Sequence, residues 1–174
     1  MNSLAICYYW GKGTVKNLGK AFQWYQKAAE NNYVDAMFIL GVCYYLGNGT
    51  EKNLEKAVYW YQRAAEKNHI NAMSILANCY ENGEGIEKNL EKAFHWYQRA
   101  AEKDNKKAMN GLTKCYYNGE ETEKDLEKAF YWHQKAAENG SVSSMQSLAS
   151  LYHNGEGIEK DLEKAFNWYQ KAAE

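Results

Sequence analysis

Hydrophobic and polar positions along this chain follow the period of an amphipathic helix, and the pattern restarts every 36 residues. Between 33 and 68, Met37, Leu40, Gly41 and Tyr44 recur at i, i+3, i+4 and i+7, which places them on one face of a first helix, A. A glycine-containing loop, GNGTEK, comes next. A second helix, B, is predicted from about Leu54 to Glu66, with Leu54, Ala57, Val58, Tyr61, Ala64 and Ala65 on its buried side. The segments AFQWYQKAAE, AVYWYQRAAE, AFHWYQRAAE, AFYWHQKAAE and AFNWYQKAAE begin at Ala21, Ala57, Ala93, Ala129 and Ala165. Leu4, Leu40, Leu76, Leu112 and Leu148 keep the same step, as do Gly11, Gly47, Gly83, Gly119 and Gly155. Chance does not align three such columns without an insertion or deletion, so the chain divides into repeats 1–32, 33–68, 69–104, 105–140 and 141–174.

Each helix B carries its own start and stop signals. Asn17, Asn53, Asn89, Asp125 and Asp161 stand at the N-cap, where a side-chain oxygen accepts an orphan amide. Glu55, Glu91, Glu127 and Glu163 follow in the first turn, and Lys27, Arg63, Arg99, Lys135 and Lys171 lie near the end, both signs suiting the helix dipole. Asn32, Asn68, Asp104 and Gly140 share one column just past helix B. These residue types tolerate the left-handed conformation that closes a helix, so positive φ is predicted there.

A lone hairpin cannot bury its apolar face, and neighbouring hairpins must stack to share a core. The predicted fold is therefore all-α: an α/α superhelical solenoid of five helix–loop–helix units, forming a single domain over 1–174. Small residues such as Gly41 and Ala77 allow close helix approach, and large aromatics fill what remains. The chain holds 15 Tyr and 6 Trp, and this load reads mostly as core. In particular, the column Trp24, Trp60, Trp96, Trp132 and Trp168 is assigned to the interior rather than to cofactor or base stacking.

Composition narrows the function. The formal net charge is −1, which gives no electrostatic case for nucleic acid or an anionic membrane surface. Proline is absent, so no internal helix breaker interrupts the pattern. No apolar run approaches the ~20 residues of a membrane span, and the first residues lack a basic leader and cleavage site, so no membrane insertion is expected. Cys7, Cys43, Cys79 and Cys115 share one column, one per repeat. Equivalent positions of neighbouring repeats should lie farther apart than the ~7 Å a disulfide allows, so the thiols read as reduced core residues and point to a reducing compartment. Spacings of 36 do not match zinc ligands, and no cofactor or metal is expected.

The four histidines fall in scattered columns, with His133 in place of a core tyrosine. GKGT at Gly11 lacks the upstream glycine and strand of a phosphate loop. Neither Ser-x-x-Lys nor His-Glu-x-x-His occurs. A repeated array supplies each residue several times over, whereas catalysis needs one asymmetric constellation. An enzyme is not expected.

The unit NAMSILANCYENGEGIEKNLEKAFHWYQRAAEK, Asn71 to Lys103, resembles the Sel1-like repeat family, relatives of the tetratricopeptide repeat, and the likeness extends over the whole chain. The resemblance implies a superhelix whose concave side is lined by the first helices. It also implies adaptor roles: membrane-linked quality control, regulation of cell-wall synthesis, or bacterial contact with hosts. Cysteine-rich relatives carry two cysteines per unit, which can bridge the hairpin; one per unit cannot. Two departures stand out. Glu121 occupies the column of Gly49, Gly85 and Gly157, which would cost ~1–2 kcal/mol if that column has positive φ. Gly19 replaces the glutamate of the other helix starts.

Met1 falls in the column of Met37, so the first helix is expected to lack its opening turn; at the other end Trp168 and Tyr169 face nothing. Terminal repeats normally carry a polar outer face. The chain is therefore expected to belong to a longer array, or to stack end to end on another copy.

The repeats also align with one another, and helix-A columns that vary at exposed positions are free to be specific. They hold Ile6, Tyr9 and Trp10 in the first repeat and Phe38, Val42, Tyr45 and Leu46 in the second. The third offers Ser74, Asn78, Glu81 and Asn82, and the fourth Asn110, Lys114, Tyr117 and Asn118. Gln146, Ser150, His153 and Asn154 complete the set. By the tetratricopeptide analogy these line the concave face, apolar and aromatic at one end and polar beyond. An exposed apolar patch marks an interaction site and aromatics dominate interfaces, so a protein or peptide partner is expected there. Packing of these residues on further repeats, or on each other, is the competing account. Two other functions stay open: a receptor or hydrolase for a peptide or cell-wall-type ligand, and a structural repeat region of a larger signalling protein.

Overall fold

The computed structural model describes residues 2–119 and 122–174. Met1 and Glu121, on which two of the expectations above rest, lie outside the described residues. All regular structure among the described residues is α-helical. The helices fall into two compact units, 1–89 and 90–174. The first holds α1 (Asn2–Trp10), α2 (Leu18–Glu30), α3 (Val34–Leu46), α4 (Leu54–Glu66) and α5 (Ile70–Asn82). The second holds α6 (Leu90–Ala101), α7 (Lys106–Asn118), α8 (Leu126–Glu138), α9 (Val142–Asn154) and α10 (Leu162–Ala173). Within each unit every helix packs mainly on the one before and the one after it in sequence. That succession is what hairpins sharing a core require.

The local signals act as their chemistry dictates. The side-chain oxygens of Asn17, Asn53, Asp125 and Asp161 each accept the amide three residues on, at 2.9 Å. Replacing Asn53 with alanine removes one such cap and should cost about 1 kcal/mol, readable as a lowered denaturation midpoint with unchanged helix content. At the other end, Asn32, Asn68, Asp104 and Gly140 adopt φ of 64°, 66°, 60° and 80°. The following amide reaches back to the carbonyl at the start of each Ala–Ala pair: Tyr33 to Ala28 at 3.1 Å, His69 to Ala64 at 3.0 Å, Asn105 to Ala100 at 3.1 Å and Ser141 to Ala136 at 2.9 Å. These are Schellman closures, and they turn the chain directly into the next first helix.

The core is a ladder of small and large side chains. Ala28, Ala29, Ala64, Ala65, Ala100, Ala101, Ala136 and Ala137 are buried, and Leu40, Leu76, Leu112 and Leu148 are fully so. Edge-to-face pairs join helix B to the next helix A in three registers: Phe22 with Tyr44 at 5.3 Å, Phe94 with Tyr116 at 5.5 Å and Phe130 with Tyr152 at 5.6 Å between centroids.

The tryptophan column departs from the expected interior placement. All five rings are only half-buried. The basic residue three positions on lies over each ring, from Lys171 at 4.5 Å above Trp168 to Lys135 at 5.7 Å above Trp132. A cation on the same helix face covers the ring that the core does not.

Candidate functional site

The variable helix-A columns form two cavities, one inside each compact unit, at the same register of the repeat. In the first unit, Val42, Tyr45 and Leu46 of α3 face Ile75, Asn78 and Cys79 of α5 across a cavity of about 270 Å³. Tyr61 of α4 and Glu84 of the following loop complete its lining. The phenol of Tyr61 lies against Gly41, where any Cβ would meet the ring. Tyr45 donates its hydroxyl to Glu84 Oε2 at 3.3 Å, drawing the end of α3 to the loop of the next repeat. One repeat earlier the same register is bridged by Asn48 Nδ2 donating to the Tyr9 hydroxyl at 3.2 Å.

Moving 72 residues along the chain, each residue of that lining has its counterpart in the second cavity. Lys114, Tyr117 and Asn118 of α7 replace Val42, Tyr45 and Leu46; Ser147, Ser150 and Leu151 of α9 replace Ile75, Asn78 and Cys79; His133 replaces Tyr61 and Glu156 replaces Glu84. This cavity measures about 590 Å³. Here the tyrosine-to-glutamate bridge is undone. Glu156 accepts from Asn154 Nδ2 at 3.1 Å instead, and Tyr117 stays 45% exposed with Lys124 over its ring at 5.4 Å. Leu126, Ala129 and Phe130 of α8 add an apolar wall.

Among the residues singled out from sequence, the cavities bring together Val42, Tyr45, Leu46 and Asn78 in one unit and Asn110, Lys114, Tyr117, Asn118 and Ser150 in the other. Ile6, Trp10 and His153 are exposed but line neither cavity. Tyr9 packs edge-on against buried Tyr25 at 6.3 Å, Phe38 stacks on His69 at 4.4 Å, and Glu81 is half-buried. Ser74 proves to be buried. Sequence reasoning missed the helix-B and loop contributions, above all His133, Lys124 and Glu156. The break in the tyrosine column at His133 was the available signal.

Burial pushes the Cys43 and Cys79 thiols up to about 11 and the Tyr25 phenol to about 12, so all three stay protonated at neutral pH. The Tyr61 phenol is raised further by the same burial. Loss of solvent lowers the basicity of His133, leaving its imidazole neutral. His69, lowered mainly by burial and partly offset by Asp35, caps α5 by accepting the Ala72 amide at 3.1 Å. None of the four cysteines is in a disulfide, and no cluster of His, Cys, Asp or Glu among the described residues could hold a metal ion. No described helix is long and apolar enough to cross a membrane.

The Sel1 repeat model matches residues 1–33, 34–69, 70–105, 106–141 and 142–174, and the chain belongs to that family. A Sel1 repeat protein from Oxalobacter formigenes is 34% identical with a TM-score of 0.91, over 99% of this chain and 70% of its own. A protective antigen of uropathogenic Escherichia coli displaying the same fold is 32% identical with a TM-score of 0.95; the match covers 99% of this chain but only 37% of that protein. The cysteine-rich protein B of Helicobacter pylori is 31% identical over 76% of this chain and 96% of its own, with a TM-score of 0.58. No functionally curated protein matches the chain in sequence. Sel1 repeats generally mediate protein–protein interactions.

Proposed function

We propose that this chain is a non-catalytic scaffold that holds a segment of a partner protein along the variable columns of its first helices. The observation that carries this reading is the recurrence of a cavity at one repeat register, floored by helix B and walled by helix-A residues that differ between repeats. A scaffold fixed by constant columns with a lining free to vary is the arrangement specific recognition needs. Cavities on the order of a few hundred Å³ with an apolar floor and a few polar groups accept side chains of a docking segment.

Tyr45, Leu46 and Tyr117 are the anchors. Leu46 is 58% exposed, so truncating it removes contact area for a partner without emptying the core. Peptides selected by display on the full chain should lose affinity on Leu46→Ala or Tyr117→Ala by about tenfold or more, with the melting temperature unchanged. Tyr45→Phe, which keeps the ring and deletes the bond to Glu84, separates stacking from bridging. Selected peptides that bind all three variants as well as the parent chain would remove this reading. Recovery of binders only from cell-wall fragments would replace the partner protein by a ligand of that class.

A further inference from the structure

The residue before each of α3, α5, α7 and α9 stands at the N-cap, and the four caps differ in chemistry. Tyr33 makes no side-chain bond to the start of α3. Asn105 Oδ1 accepts the Ala108 amide at 3.0 Å, and the Ser141 hydroxyl accepts the Ser144 amide at 3.4 Å. At α5 the acceptor is a ring nitrogen: His69 Nδ1 takes the Ala72 amide at 3.1 Å. Phenol, amide and hydroxyl keep their protonation through the neutral range, whereas an imidazole does not.

The bond fixes the form of the ring. Nδ1 accepts only while it carries no proton, so the capping imidazole is the neutral tautomer with its hydrogen on Nε2. Nε2 faces Asp35 Oδ1 at 3.7 Å, too far for a hydrogen bond, and that carboxylate is 81% exposed. The His69 side chain is only 15% exposed and lies flat on Phe38, at 4.4 Å between centroids and 22° between planes. Asp35 is the one charged residue of α3. The end of α4 brings Glu66 and Lys67, one of each sign and both exposed. Tyr61 meets the far side of Phe38, and burial keeps its phenol protonated. Two effects oppose an imidazolium here: loss of solvent lowers the basicity of His69, and the start of α5 carries partial positive charge. Asp35 offsets them only in part. Once protonated, Nδ1–H and the Ala72 N–H are two donors face to face, and they must part.

We propose that His69 is a pH-responsive cap: on mild acidification it takes up a proton, releases the Ala72 amide and frees the first turn of α5, loosening one wall of the first unit's cavity. A histidine whose folded state resists the proton contributes stability that is complete above the ordinary histidine value. That contribution is lost as pH falls through the lowered one. The backbone offers the turn little else, since its first helical bond runs from the Met73 amide to the His69 carbonyl itself, at 3.1 Å. Ile75 follows within the next turn and, with Asn78 and Cys79, forms α5's share of the lining. The inference goes beyond partner binding by giving that cavity a regulator, and it concerns the chain alone.

The test is NMR of the full chain, titrated from roughly pH 7.5 to roughly pH 5. At the upper end the ring nitrogens of His69 should report a bare Nδ1 and a protonated Nε2. As pH falls, exchange of the Ala72 amide, corrected for its intrinsic pH dependence, should quicken about fivefold or more. The midpoint should lie below the ordinary histidine value and coincide with a shift of the Ile75 methyl resonances. His69→Asn, which installs the cap found at α7, should keep Ala72 protected across the range and hold the Ile75 methyls still. His69→Tyr, the residue found at α3, should leave Ala72 unprotected throughout. Asp35→Asn should lower the midpoint further, because it removes the one group that favours the charged ring. A proton on Nδ1 at neutral pH overturns the inference, as does Ala72 protection that persists through the titration of His69. So does an acid response that survives in His69→Asn, or a titration that leaves the Ile75 methyls unmoved.

Discussion

Replacing Gly85 with alanine is expected to cost the chain about 3 kcal/mol or more, while the same substitution at Gly13 should cost about 1 kcal/mol. Both glycines sit in one column of the repeat and share φ of +71°. The backbone penalty for placing a side chain in the left-handed region is therefore common to both. They differ in what lies behind them. A Cβ on Gly85 would come within 2.5 Å of the carbonyl carbon and oxygen of Leu54, the first residue of α4, and backbone there cannot swing aside. Gly49 meets the carbonyl of Leu18 in the same way, one repeat earlier. Gly13, in the first repeat, has nothing within 4 Å. At Gly157 the neighbours are side-chain atoms of Leu126, 3.1 Å away at the nearest, which can give. The expected order of loss is Gly85 and Gly49 first, then Gly157, then Gly13. For a chain of this size 3 kcal/mol corresponds to roughly 6–12 °C in melting temperature, well within the reach of calorimetry. Equal losses at Gly85 and Gly13 would mean that the glycine serves its own turn only and not the seam between repeats.

That distinction marks the boundary of what could be read from the residues. The loop pattern Gly-x-Gly announces two positions of positive φ, but only the structure separates their tasks. The first, as at Gly47, ends helix A by donating its amide to the Cys43 carbonyl at 2.9 Å. The second lets one repeat's loop approach the start of the preceding repeat's helix B. Signals confined to a few neighbouring residues were legible: the caps, the Schellman closures and the alternation of helices follow from local backbone chemistry repeated five times. Burial of the tryptophans was over-read, because hydrophobic character alone does not reveal that the same helix offers a cation three residues later. The cavities were half legible. Variation along helix A located Tyr45 and Lys114, but a lining is made jointly by three helices and a loop. Its size depends on how residues in otherwise constant columns, such as Tyr61 and His133, meet the helices on either side.

The packing of Tyr61 supplies the second large expected effect, and it should appear as coupling between two sites. Tyr61 is 2% exposed, and its ring edge occupies the space a Cβ at Gly41 would need, 2.6 Å from Cε1 and 2.7 Å from Cδ1. Gly41→Thr should therefore destabilise by about 2–3 kcal/mol, since the ring is held by the core and the carbonyl of Ala57 lies only 3.2 Å off on another side. Tyr61→His, made alone, shortens the ring, leaves a void and buries a polar nitrogen, for a loss of about 2–4 kcal/mol. The fourth repeat already carries both exchanges together: Thr113 stands in the column of Gly41 and His133 in that of Tyr61. There Thr113 is buried and returns its hydroxyl to the Met109 carbonyl at 3.0 Å, so the polar atom it adds is satisfied within its own helix. In the double variant the smaller ring makes room for the threonine methyl, and the threonine fills part of the void the ring leaves. The combined loss should fall short of the sum of the single losses by about 1–3 kcal/mol, measured as a double-mutant cycle on denaturation midpoints. Strict additivity would show that the glycine and the tyrosine are not a matched pair, and the difference between the two cavities would then have to originate in α9, where Ser147 stands for Ile75.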